Sequence, residues 1–175
     1  MFGEKGLVHV YTGNGKGKTT SSLGLAMRAL GHGAQVTVIQ FMKGWKDYGE
    51  LITASKLEGF EMIQTGRPDY VYKGKEQPED YEEAKRGMET ALRIMNSGKC
   101  DMLILDEINV ALEYGLVTLG SVMEMVKNKP FGMELVLTGR AAHRDLVELA
   151  DLVTEMQEVK HPFKEGITAR KGVEF

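Results

Sequence analysis

Cysteine occurs once, at Cys100, so no internal disulfide can form, and nothing around it has the spacing of a metal-ligand set. Its place at the start of an apolar stretch reads as a small core or strand-edge side chain. No run reaches about 18 apolar residues and no apolar signal region opens the chain, which argues against a membrane partner and gives the expectation of a cytoplasmic protein. An excess of basic charge is missing as well: 22 lysines and arginines face 25 aspartates and glutamates, a net charge of −3. That balance argues against a general nucleic-acid binder, whose surface would be basic. The four histidines, His9, His32, His143 and His161, have neither metal nor triad spacing and read as structural. Repeats, low-complexity tracts and linkers are absent too. The 175 residues are therefore expected to form one domain, 1–175. A chain of that size buries about 70% of its unfolded surface.

What is present centres on Thr12-Gly13-Asn14-Gly15-Lys16-Gly17-Lys18-Thr19-Thr20. Leu7–Tyr11 before it is apolar and β-branched and reads as a strand. Ser21–Leu30 after it places Leu23, Ala26, Met27 and Leu30 at helical spacing. Strand, glycine-rich turn ending in Lys-Thr, and helix together are the layout of a phosphate-binding loop. Glycines let backbone N–H groups close around phosphate oxygens, the helix N-terminus adds partial positive charge, and lysine adds a full one. The threonine hydroxyl is suited to the magnesium ion that accompanies a nucleotide. The entry is a variant. In the usual G-x-x-x-x-G-K-[ST] pattern a glycine would stand where Thr12 does, and Lys16 is a second basic residue in the loop.

Further strands are expected at Ala34–Phe41, Phe60–Thr65, Met102–Leu105, Glu134–Thr138 and Leu152–Val159. Helices are expected at Glu50–Lys56, Glu79–Asn96, Leu119–Lys127 and His143–Leu149, and the tail from Lys160 has no clear period. The alternation predicts an α/β fold: a mostly parallel six-stranded sheet with helices on both faces, P-loop NTPase-like (RecA-like). Ligands then bind at the carboxyl ends of the strands. The phosphate loop, Phe41–Tyr48, Gly66–Tyr72, Asp106-Glu107 and Thr138-Gly139-Arg140 all fall at that edge. The eleven methionines are expected to serve core packing.

Asp106-Glu107 closes an apolar strand as the second nucleotide motif of phosphate-loop proteins does. One carboxylate would meet magnesium directly or through water, opposite Thr19; which of the two stays open. A glutamate there also polarises water in many ATPases, so the pair alone does not separate hydrolysis from other chemistry. Arg28, ten residues after Lys18, reaches the nucleotide or forms a surface ion pair. Trp45, Tyr48, Tyr70 and Tyr72 lie on two loops at the ligand edge and suit either a lid over a planar ligand or plain shielding.

Taken together, several stretches resemble the phosphate-loop type of ATP:corrinoid adenosyltransferase, also called cob(I)yrinic acid a,c-diamide adenosyltransferase. They are Thr12–Thr20, Arg28-Ala29-Leu30-Gly31-His32-Gly33, Gln40-Phe41-Met42-Lys43-Gly44, Leu105-Asp106-Glu107-Ile108-Asn109, Leu137-Thr138-Gly139-Arg140 and Glu148–Met156. Val159-Lys160-His161-Pro162-Phe163 and Gly172-Val173-Glu174-Phe175 match as well, so the likeness spans essentially the whole chain. It implies transfer of the 5′-deoxyadenosyl group of ATP to the cobalt of a reduced corrinoid, with release of triphosphate. It further implies ATP held in reverse in the loop, with C5′ exposed towards the corrinoid. By position, Gly13, Asn14, Gly15, Lys16, Gly17, Lys18, Thr19 and Thr20 hold the triphosphate and Arg28 faces the nucleotide. Lys18, Thr19 and Glu107 carry the catalytic roles; Thr19 and Glu107, with Asp106, flank magnesium. Trp45, Tyr70 and Tyr72 are the corrinoid candidates. An external electron donor such as a flavodoxin or reduced flavin, and a homodimer, are expected on the same ground. Family members with an N-terminal helical extension use it to cover the partner subunit's site; here the first strand begins at Leu7. An ordinary P-loop ATPase or kinase, or a non-catalytic nucleotide-binding module, are the alternatives at this stage.

Overall fold

The computed structural model describes residues 5–175; the first four residues of the expected domain lie outside the described residues. In chain order the elements are β1 (Val8–Thr12), α1 (Lys18–Gly31), β2 (Val36–Phe41), α2 (Gly49–Ala54), β3 (Phe60–Thr65) and α3 (Pro78–Asn96). They continue as β4 (Met102–Asp106), α4 (Ile108–Glu113), α5 (Leu119–Lys127), β5 (Glu134–Thr138), α6 (Arg144–Leu149), β6 (Leu152–Glu155) and a 3-10 turn, Pro162–Glu165. All six strands are parallel, in the spatial order β3-β2-β4-β5-β1-β6. The expected α/β class is thereby borne out.

The central strands are apolar on both sides because both sheet faces are covered. Val8, Val10, Ile39, Phe41, Leu103, Leu105, Leu135 and Leu137 face Ala84, Met88, Ala91 and Met95 of α3 and Val122 and Met125 of α5. Alternate residues, Val36, Val38, Met102, Ile104 and Val136, face Ala26 and Ala29 of α1. The period of two along each strand sends neighbours to opposite layers. Met88, Met95, Met102, Met125 and Met133 are buried, in keeping with a packing role. Cys100 lies half-buried just before the central strand β4, with its thiol donating to the Met102 carbonyl.

Beyond shifts of one or two residues at the ends of other elements, three features differ from the sequence expectation, each for a local reason. Helix α1 starts at Lys18 rather than Ser21, because the end of the loop is itself the first helical turn. Strand β6 stops at Glu155, short of Val159: Met156 N–H still donates to Thr12 O at the end of β1, but its carbonyl leaves the ladder to accept from Gly15 N–H in the phosphate loop. Helix α4, six residues long, was absent from the sequence reading; it is too short to show a helical period. Among the described residues, no helix is long and apolar enough to cross a membrane.

Candidate active site

The phosphate loop joins β1 to α1 and is held in shape by the chain's far end. A side-chain carbon on Gly13 would stand 2.4 Å from the Met156 carbonyl oxygen, and one on Gly15 would stand 2.7 Å from the Gln157 backbone. Glycine is required at both, since backbone meets backbone there. Gly17 precedes α1 at φ 122, and no side chain caps the helix. The first amides of α1 are thus left to a ligand, which is the anion-binding arrangement of a helix start. Lys18 is buried and folds back over the loop, its Nζ donating to Gly13 O and Gly15 O, both at 2.7 Å. Burial pulls its pKa down, partly offset by the nearby Glu107 carboxylate. Lys16 is exposed and reaches the C-terminal segment, donating to Val173 O at 2.9 Å and Glu174 Oε1 at 3.0 Å.

Asp106 ends β4, one strand removed from the loop because β5 lies between β4 and β1. Strand spacing makes that gap about 10 Å. Two threonines close it. Thr19 Oγ1 donates to Asp106 Oδ1 at 2.8 Å, and Thr138 Oγ1, from the end of β5, donates to the same oxygen at 2.7 Å. On Oδ2 the carboxylate takes Lys43 Nζ at 2.8 Å and Gln40 Nε2 at 3.3 Å. Asp106 is fully buried; desolvation alone would raise its pKa, but Lys43 and the hydroxyl donors outweigh it and hold the carboxyl low. Glu107, the next residue, sits at φ 62 and caps α4. Among the described residues its carboxylate accepts no hydrogen bond. Burial, then the Asp106 charge, pushes its pKa up.

Two cavities adjoin at this edge. One, of about 300 Å³, is walled by the loop residues Gly15–Thr20 together with Glu107, Arg140 and His161. The other, of about 330 Å³, is walled by Trp45, Tyr70, Val110 and Tyr114 among others. Lys43, Tyr48, Glu107 and Arg140 border both. The rings of Trp45 and Tyr70, both in the wall of the second cavity, lie 5.9 Å apart at 54°.

The structure gathers Gly15 to Thr20 and Glu107 at the first cavity, with Asp106 buried behind Thr19 and Lys43, and Trp45 and Tyr70 at the second. Tyr72, 64% exposed, lines neither. Arg28 stands in the last turn of α1, exposed and near the Tyr11 phenol; ten residues of helix, about 15 Å, separate it from Lys18, and it lines neither cavity. Three site residues had no role in the sequence reading. Lys43 follows a buried strand directly at the ligand edge, a position that could have singled it out. His161, read as structural, and Glu174 lay in tail stretches that entered only through the family likeness, and the fold of the tail brings them to the loop. His161 also caps the 3-10 turn, as His143 caps α6.

A parallel sheet whose first strand feeds a glycine-rich loop and helix, faced by an acidic strand end, defines the phosphate-loop nucleotide-binding proteins of the α/β class. Within that class, residues 4–175 match the family described as ATP:corrinoid adenosyltransferase BtuR/CobO/CobP, and the chain belongs to it. A corrinoid adenosyltransferase of Sinorhizobium is 40% identical, covering 98% of this chain and 81% of its own. The Escherichia coli K12 corrinoid adenosyltransferase is 36% identical over 98% of this chain and 87% of its own, and Salmonella typhimurium's CobA is 35% identical over the same shares. The protein is accordingly an enzyme, a transferase with ATP and a corrinoid as substrates. A solved structure of a KaiC-like protein from Pyrococcus horikoshii superposes with a TM-score of 0.58 over 89% of this chain and 75% of its own; at 17% identity it speaks for the fold alone.

Proposed function

We propose that the enzyme transfers the 5′-deoxyadenosyl group of ATP to the Co(I) centre of a reduced corrinoid, cobalamin or a precursor, and releases inorganic triphosphate. The observation that carries this reading is the pair of adjoining cavities, one built for phosphates and one lined by aromatic rings, with a shared charged border. Gly13 to Thr20 hold the triphosphate, Lys18 supplying the buried charge. Trp45 and Tyr70, which line the aromatic cavity, serve the corrinoid.

Thr19, Asp106 and Glu107 offer hydroxyl and carboxylate oxygens, the donor set of a hard cation. Two such side chains beside a polyphosphate suit magnesium, which keeps waters and shares itself with substrate. Asp106 already has four donors, so Glu107 is the residue with a free oxygen for the ion, and Asp106 acts through Thr19. When bound, magnesium would draw charge from the triphosphate and make it a better leaving group. The nucleophile, Co(I), has no proton to lose, so no general base is needed at C5′. The chain's task is to hold C5′ towards the aromatic cavity and to stabilise the charge on the departing triphosphate, by Lys16, Lys18 and the α1 amides.

Reduction to Co(I) falls to an external donor such as a flavodoxin or reduced flavin, and the enzyme works as a cytoplasmic homodimer. The chain's likeness along its length to the family supports both. Incubation with magnesium-ATP, with and without chemically reduced cobalamin, tests the reaction. Triphosphate and a light-sensitive adenosylated corrinoid are expected; ADP and phosphate regardless of corrinoid would sink the proposal in favour of an ATPase.

A further inference from the structure

We infer that Lys43 is a catalytic residue that contacts the oxygen departing from C5′. The inference rests on the adenosyl-transfer reading above and adds a residue to it. In that reaction the Co(I) electron pair forms the Co–C5′ bond, and the C5′–O5′ bond breaks. Its electrons stay on oxygen, so the new charge appears at the α-phosphate end of triphosphate, and cobalt ends formally as Co(III). The far end of the triphosphate is gripped around Lys18, while C5′ must face the aromatic cavity. The breaking bond therefore lies where the two cavities meet.

Lys43 stands at that border. Its side chain is 18% exposed, its ammonium 2.8 Å from Asp106 Oδ2 and 5.7 Å above the Tyr48 ring. A lysine ammonium has three N–H donors. Asp106 takes one; the others are free for an incoming oxygen. The backbone around Lys43 is firmly set. Met42, just before, adopts φ 59, and a side chain on Gly44 would fall 2.3 Å from the Gly66 carbonyl, so the loops after β2 and β3 are in backbone contact. A non-glycine residue in the left-handed region persists where its surroundings fix it, and such positions cluster at functional sites. A fixed cation aimed at charge that appears only in the transition state accelerates the chemical step more than it aids substrate binding.

The test compares wild type with Lys43→Gln, Lys43→Arg and the double variant Lys43→Gln/Asp106→Asn. The measurements are kcat, KM for ATP, calorimetric affinities for magnesium-ATP and magnesium-triphosphate, and the thermal midpoint. The departed oxygen carries full charge in triphosphate but not in ATP. Lys43→Gln is expected to lower kcat on the order of 100-fold and to weaken triphosphate at least about ten-fold more than ATP, with Lys43→Arg recovering part of both. The double variant removes the buried charge with its counterion, so it gives the same affinity comparison if Lys43→Gln does not fold. Equal losses for ATP and triphosphate, or wild-type kcat in the double variant, would overturn the inference. Wild-type enzyme that makes no adenosylated corrinoid would overturn the adenosyl-transfer reading itself, a separate result.

Discussion

At the scale of single residues, the phosphate loop shows which positions are fixed by chemistry and which by space. Lys18 is fixed by chemistry: its ammonium lies on Gly13 O and Gly15 O, so it closes the loop until phosphate oxygens take its protons instead. Lys18→Ala should lower turnover by at least about 100-fold, while the thermal midpoint moves by no more than about 4 °C. Near-normal turnover in a folded variant would remove Lys18 from the triphosphate grip. Gly15 is fixed by space. Its added methyl carbon would meet the Gln157 backbone at 2.7 Å and the Met156 carbonyl at 2.8 Å. Overpacking of that kind costs about 1–3 kcal/mol, so Gly15→Ala should lose roughly 2–4 °C of thermal midpoint per kcal/mol, as a differential scanning melt would record. Spacing alone made the glycines legible as a phosphate loop. It did not reveal that the segment after β6 presses on them, because nothing in a local pattern reports a contact so far along the chain.

At the scale of elements, α3 ties fold to function. Its N-terminus is a reciprocal capping pair, with Asp80 Oδ2 accepting from Gln77 N–H at 2.8 Å. The same buried carboxylate takes Arg67 Nε at 2.8 Å, and Arg67 belongs to the loop that carries Tyr70 over the aromatic cavity. One side chain therefore starts a helix and anchors a lid. Burial alone would raise the Asp80 pKa; the Arg67 guanidinium and the Gln77 amide more than offset it, and the carboxyl is held below its usual range. A carboxyl depressed in the folded state adds stability that is present above its unfolded pKa, about 3.9, and is lost as pH falls below it. Asp80→Asn should cost about 1–3 kcal/mol at pH 7. The gap to wild type should stay level from about pH 5 upwards and shrink below about pH 4. Urea midpoints across that range decide it, and a gap unchanged at pH 3 would mean that the charge contributes nothing. Elements that repeat their own period at least twice were legible: α3, α5, β3 and β5 agree with the sequence reading to within a residue. Where the reading failed most, at the start of α1, at α4 and at the end of β6, the element began inside the loop, was too short to show a period, or was ended by a tertiary contact.

At the scale of the molecule, the site is assembled from both ends of the chain. The phosphate loop, Asp106-Glu107 and the aromatic pair were legible as separate motifs because each follows a strand at one sheet edge. Their meeting point was not: Lys43, Arg140 and Glu174 become neighbours of the phosphate cavity only once the sheet order is set. Glu174 bears directly on how the cavity fills. It is clamped by Arg170 through the backbone N–H at 2.8 Å and the guanidinium at 3.1 and 3.2 Å, and these bonds, with that of Lys16, bring its pKa down to about 2. It is therefore a full negative charge at any working pH, 3.0 Å from Lys16 and at the mouth into which a triphosphate must pass. Anion and carboxylate compete for the same ammonium. Glu174→Gln keeps the shape of the clasp and removes its charge, so inorganic triphosphate should bind roughly two- to five-fold tighter at low ionic strength. An exposed pair is screened by salt, with a Debye length of about 10 Å at 0.1 M and about 3 Å at 1 M. The advantage of the variant should accordingly fade as salt is raised towards 1 M. Calorimetric titration at the two ionic strengths measures both effects. Weaker triphosphate binding by Glu174→Gln at low salt would show instead that the carboxylate supports the filled site, holding Lys16 in place for the phosphates rather than away from them.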